Sequence, residues 1–193
     1  MQDQMTPLRK PSRVMAVVIF LLVYFCGLLI WIQIKNYYGY AITLTASEIV
    51  SGIKEVKFDE IKMEKDLIQA TFTPVTGRND TLIDLRVPTS NYTFNVPLTL
   101  GVMAGLYIFL RRRKRAYVEA LLVLLSVHML YVFSFEIKEL SEILMNRGFE
   151  TVSTPKIALY QFLWGFTDNM VIRFEPFLIG LYMFLRFRRP AAE

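Results

Sequence analysis

The side chains in this sequence whose chemistry is out of place are Cys26, Glu119, His128, Asp168, Arg173 and Glu175. All fall inside long apolar stretches, where an ionisable group is costly and is read by default as functional. Asp168, Arg173 and Glu175 share one stretch, Ile157–Leu185, with Gln161 and Asn169. At about 100° per helical residue, Gln161, Asp168 and Glu175 recur every seven residues on one stripe, and Asn169 and Arg173 sit one turn apart on the next. Polar stripes of this kind are the usual glue between membrane helices. The chemistry they point to is recognition, a partner-binding face made of Gln161, Asp168, Asn169, Arg173 and Glu175. Two other readings stay open. This stretch is longer than the roughly 20 residues a bilayer needs, which leaves room for Asp168, Asn169 and Arg173 at or above the outer interface. Alternatively, the polar groups satisfy one another within a bundle. Pro176 removes one backbone hydrogen bond and is expected to kink the helix near Ile172.

His128 lies near the middle of Ala116–Phe135. As a general acid or base it needs a second titrating group in reach, for which Glu175 and Asp168 are candidates. The expected state is a buried polar His128, neutral and bonded to a carbonyl. Cys26, in mid-stretch beside Gly27, is expected to be a buried structural thiol, and Glu119 to form an i, i+4 ion pair with Arg115. One Cys and one His cannot build a Cys/His metal site. The sequence has no G-x-S-x-G, H-E-x-x-H, Walker loop or C-x-x-C, no internal repeat, and none of the paired broken helices of secondary transporters. No catalytic residue, metal or cofactor is expected.

The elements that must position these groups follow from hydropathy and charge. The chain has 193 residues, 54% hydrophobic and 20% charged, more apolar and less charged than a soluble domain. Four apolar stretches dominate, predicting transmembrane helices at 14–34, 94–110, 116–135 and within the long polar-interrupted helix 156–185. The second is the shortest. The basic residues cluster in the connections: Arg9, Lys10 and Arg13 in 1–13, Arg111–Arg115 in 111–115, and Arg186, Arg188 and Arg189 in 186–193. These segments hold 11 of the 22 Lys and Arg, with only Asp3 and Glu193 as acids. Excess Lys and Arg on short connections marks the cytoplasmic side. The prediction is a multi-pass protein of the inner (plasma) membrane with four spans and both termini cytoplasmic. The same clustering gives Arg111–Arg115 a membrane-surface explanation, and no aromatics interleave it to stack bases, so no nucleic-acid partner is expected.

Residues 35–93 form the long extracytoplasmic segment. Ala41–Ile53 continues the first helix to about Gly52. Beyond it the period changes to two, with Val56, Phe58, Ile61 and Met63, then Ile68, Ala70 and Phe72, then Leu85 and Val87. Turns at Lys65–Asp66 and 76–80 divide these runs into a small antiparallel β-meander over 54–87, with Phe58, Phe72 and Leu85 on one side. So few residues bury little apolar surface alone, and the sheet is expected to lean on the membrane, on a partner or on segment 136–155. That segment carries Ile137, Leu140, Ile143 and Leu144 at helical spacing, an outer amphipathic helix ended by Gly148. Two sequons, at Asn79 and Asn91, fall on the outer side. The fold class is therefore a mostly α membrane protein of four transmembrane helices, with the meander between helices 1 and 2 and the amphipathic helix between helices 3 and 4.

Ser90–Leu106 (SNYTFNVPLTLGVMAGL), Phe135–Leu144 (FEIKELSEIL) and Ala158–Leu185 (ALYQFLWGFTDNMVIRFEPFLIGLYMFL, with Tyr160, Gln161 and Pro176) resemble the small exosortase-associated membrane proteins of bacteria, of the exosortase H type. Arg173 and Glu175 stand where the family is expected to be apolar. Exosortases themselves are membrane transpeptidases with a Cys, an Arg and a His facing the outer side, and Cys26 and His128 do not match those motifs. The resemblance implies a non-enzymatic accessory protein, with the lipid bilayer and an exosortase-type sorting transpeptidase as partners. The rival readings are a small transporter or proton-linked channel using the polar residues of helix 4 and His128, and a membrane enzyme using the same groups.

Overall fold

The computed structural model describes residues 13–75, 81–110 and 113–188. The turn at 76–80, the sequon at Asn79, and Arg9, Lys10, Arg111, Arg112 and Arg189 of the basic clusters lie outside the described residues.

Helix α1 runs Arg13–Ile53, 41 residues without a proline, which at 1.5 Å each is about 60 Å, twice the thickness of a bilayer core. Its buried residues begin at Trp31 and recur through Gly39, Ile42, Thr43, Ala46, Ser47 and Val50. The upper part therefore carries an inward stripe, while the lower part is apolar all round and mostly uncovered. Lys54 closes the helix, its N–H bonding Val50 O at 2.9 Å.

Strands β1 (Val56–Glu64), β2 (Leu67–Pro74) and β3 (Ile83–Pro88) form an antiparallel sheet in sequence order, the expected meander. Phe58 pairs with Phe72, Phe72 with Ile83, and Ala70 with Leu85, so these side chains share a face. The β1–β2 link is the two-residue turn Lys65–Asp66, with Lys65 at φ 44°. Lys35 ties its tip to α1 through a 2.6 Å bond to Asp66. On the opposite, polar face of the sheet, Thr73 donates to Asp59 at 2.5 Å; that bond and the Lys57 ammonium hold the Asp59 carboxyl below the usual range.

Short helix α2 (Ser90–Thr93) leads into α3 (Asn95–Leu106). Gly101 and Gly105 let α1 come close to α3. A Cβ on Gly105 would stand 3.2 Å from Ala16 O, and one on Gly101 would stand 3.1 Å from Tyr24 Cβ. Small residues one turn apart are a common device of membrane helix pairs. Helix α4 runs Arg113–Asn146 without a break. The expected separate amphipathic helix is thus the last third of α4: the surface polarity changes at Glu136, but no glycine or proline interrupts the helical period there. Gly148, at φ 74°, reverses the chain beyond it as expected. Ile137, Leu140 and Leu144 pack with Val50, Phe72, Ile83, Leu85 and Tyr160 in one core cluster, so the sheet leans on α1 and α4.

The fourth apolar stretch is α5 (Thr154–Phe166), a π turn at Thr167–Val171 and α6 (Ile172–Phe187). Helices α1 and α4 are long and apolar enough to cross a membrane. Helix α3 has 12 residues and the fourth stretch is split by the π turn, so neither passes the same length test by itself. Leu110 and Arg188 pair in an isolated bridge, which joins the ends of the α3 and α6 segments.

Candidate functional site

Three helices bring their polar residues to one point. His128 on α4 is fully buried, with its Nε2 3.1 Å from Glu175 Oε2 on α6. Its Nδ1 is 2.7 Å from the Tyr38 hydroxyl on α1. A tyrosine that donates to Nδ1 leaves the proton on Nε2, which then donates to the Glu175 carboxylate. The expected carbonyl partner of His128 is thus replaced by a phenol and a carboxylate. Around it stand aromatic edges: Tyr38 and Tyr92 meet the imidazole with centroids at 5.6 and 5.2 Å, and Tyr92 leads through Tyr131 to Trp164.

Asn95, at the start of α3, completes the node. Pro176 has no N–H, so the carbonyl of Ile172, four residues earlier, loses its helical partner. The Asn95 amide donates to Ile172 O at 2.6 Å and to Glu175 Oε2 at 2.9 Å. One side chain thus fills the proline gap and anchors the carboxylate beside it. The other oxygen, Glu175 Oε1, is buried and has no hydrogen-bond partner among the described residues. Glu175 also lines a groove of about 360 Å3 between α4 and α6, together with Val123, Val127, Val171, Leu178, Ile179 and Tyr182.

The predicted stripe is divided. Gln161 is exposed, its amide 3.3 Å from Glu142 on α4. Asp168 is half-buried on the π turn, beside the Tyr131 hydroxyl without closing a hydrogen bond to it. Glu175 is buried against His128. Gln161, Asp168 and Glu175 thus all turn toward α4 of their own chain. Asn169 is exposed and donates back to Gly165 O at 3.0 Å, and Arg173 is exposed. Two further expectations change. Cys26 is exposed, on the uncovered apolar flank of α1. Glu119 bonds Arg186 at 2.8 Å and Tyr182 at 2.9 Å, because α6 brings a cation across the bundle. No group of three metal-ligating side chains occurs among the described residues.

Two residues of the node were not expected, Tyr38 and Asn95. Tyr38 reads as one of an interfacial aromatic cluster, and Asn95 as part of a polar lead into a span. The one available signal was Pro176, whose orphaned carbonyl requires a donor from elsewhere. A second buried pair lies higher, where Ser47 donates to Glu136 Oε1 at 2.7 Å. At the end of the helices that carries the sheet, Lys54 is buried in an ion pair with Glu150 at 2.8 Å and stands 5.1 Å over the Tyr160 ring, beside a polar cleft of about 370 Å3.

Compared with known proteins, residues 9–187 match the family model described as exosortase H-associated membrane protein. No curated protein and no solved structure matches the chain.

Proposed function

The chain belongs to the exosortase H-associated membrane protein family, and on that premise we propose that it is a non-enzymatic accessory subunit. In this reading it binds an exosortase-type sorting transpeptidase side by side in the inner membrane. Helices α1, α3 and α4 and the α5–α6 segment make four passes, with the basic ends cytoplasmic and the sheet outside, resting on the projecting ends of α1 and α4. The observation that carries the proposal is the uncovered flank of α1. Its most apolar window has none of its residues buried, and Val14, Leu22, Phe25, Leu29 and Ile30 are each more than half exposed. A patch of that size on a soluble protein marks an interaction or membrane surface; here lipid and a partner helix are its natural cover.

The transporter reading needs a polar path through the bundle. Toward the basic end, the core below Glu175 is built of Leu124, Ala120, Ile179, Met183, Leu110 and Phe187, all apolar, which favours the accessory reading. The test is co-expression with the cognate exosortase and purification of the pair in mild detergent through a tag on this chain. A stable complex of defined stoichiometry is expected. Recovery of this chain alone, together with proton or solute flux in vesicles, overturns the proposal.

A further inference from the structure

We propose that the groove between α4 and α6 is the docking site for one apolar helix of the partner, and that this helix presents a hydrogen-bond donor to Glu175 Oε1. The inference rests on the accessory reading and adds to the α1 flank a second surface, the one that would set the register of the partner.

Four features of the groove lead to it. Its walls are hydrocarbon: Val123 and Val127 lie one turn apart on α4, and Val171 of the π turn and Leu178, Ile179 and Tyr182 of α6 stand opposite. The same two helices expose further hydrocarbon, since Phe174, Phe177, Leu181 and Leu122 are all about half exposed or more. Its ends are built. The Glu119–Tyr182–Arg186 bonds close one end and the π turn at Thr167–Val171 forms the other. From Val171 to Tyr182 the groove follows about 16 Å of helix, three turns, the length over which side chains spaced i, i+4 and i+7 interdigitate with a neighbouring helix.

The floor selects the occupant. The Glu175 side chain is fully buried, and both of its internal donors, His128 Nε2 and Asn95 Nδ2, converge on Oε2. The other oxygen, Oε1, is buried without a hydrogen-bond partner among the described residues, in a residue that lines the groove. A lipid tail fills the walls but offers no donor. A helix bearing a hydroxyl, amide or ammonium side chain at its middle turn satisfies both walls and floor. Interhelical polar contacts of this kind are how membrane helices find register. Glu136 also keeps one unpartnered oxygen, yet it lines neither this groove nor the outer cleft.

The test uses the full chain co-expressed with the cognate exosortase. Val127→Trp and Leu178→Trp fill the groove; Glu175→Leu removes the acceptor, whereas Glu175→Gln keeps one. Copurified exosortase is expected to fall about tenfold for the first three variants and no more than about threefold for Glu175→Gln. Thermal unfolding of the tryptophan variants should match the parent, and Leu159→Trp, at an exposed position of α5 away from both the groove and the α1 flank, serves as the comparison. A benzophenone side chain at Leu178 should yield a photoadduct of chain plus exosortase. If the parent copurifies while the tryptophan variants bind equally well, the groove assignment falls and the accessory reading stands. If the adduct is a lipid, the groove is a lipid site and the proposal is overturned. If the parent itself does not copurify, both readings fall.

Discussion

Replacing Asn95 by leucine tests the node at its least obvious member. The substitution removes a 2.6 Å bond to Ile172 O and a 2.9 Å bond to Glu175 Oε2 and returns no donor to either. A neutral hydrogen bond is worth about 1 kcal/mol and one to a charged group about 1.5–3, so the loss in a dry site is about 3 kcal/mol. The smaller average of about 0.6 kcal/mol per contact within membranes sets a floor near 1 kcal/mol. For a chain of this size each kcal/mol moves the midpoint by about 2–4 °C, which gives an expected fall of about 6–12 °C. The assay is thermal unfolding in mild detergent, followed by the fluorescence of Trp31 and Trp164. The decisive arm is the Pro176→Ala background. There the alanine N–H can bond Ile172 O directly, and half of the work of Asn95 becomes redundant. Asn95→Leu should then cost about 1 kcal/mol less than in the parent, a coupling within reach of a double-mutant cycle. Equal losses in both backgrounds, or a shift below about 1 °C in the parent, refute the account of Asn95 as the donor that fills the proline gap.

Phe72 is fully buried between sheet and helices, and Phe72→Ala should lower stability by about 3–5 kcal/mol; an unchanged midpoint in detergent means the sheet does not pack on α1 and α4. Glu136 is fully buried and accepts from Ser47, and burial pushes its carboxyl up to about 8; the parent therefore loses stability as pH rises from about 4.5 to 8, and Glu136→Gln should raise stability at pH 8 by about 1–2 kcal/mol and by less at pH 5, whereas a loss of stability at pH 8 says that the charge is compensated. For orientation, in a Cys26→Ser background a cysteine at Glu64 should label with a membrane-impermeant thiol reagent in intact cells and one at Lys114 should not; the reverse pattern inverts the proposed topology.

What the sequence disclosed depended on how local the cause was. The extent of α1 follows from a long proline-free run that Gly27 and Gly39 do not interrupt, and the meander follows from the alternation around Phe58 and Phe72 and the Lys65–Asp66 turn. Each cause lies within a few residues of its effect. The continuity of α4 was hidden because a change of surface polarity at Glu136 looks like the end of an element, although the helical period carries on through it. The exposure of Cys26 and the partner of Glu119 depend on which helix arrives alongside, which no local pattern records. The node is the extreme case. Tyr38 and His128 are 90 residues apart in sequence, and Asn95 and Glu175 are 80 apart. Seven-residue spacing identified a polar stripe on the fourth stretch, but not where its members go, and the π turn alters the helical phase between Asp168 and Glu175. What joins these distant residues is a deficit of bonding. Pro176 leaves a carbonyl without a donor, a buried carboxylate lies one residue earlier, and one amide from α3 answers both. The same accounting leaves Glu175 Oε1 unanswered among the described residues, and the groove that Glu175 lines is where an answer from another chain would enter.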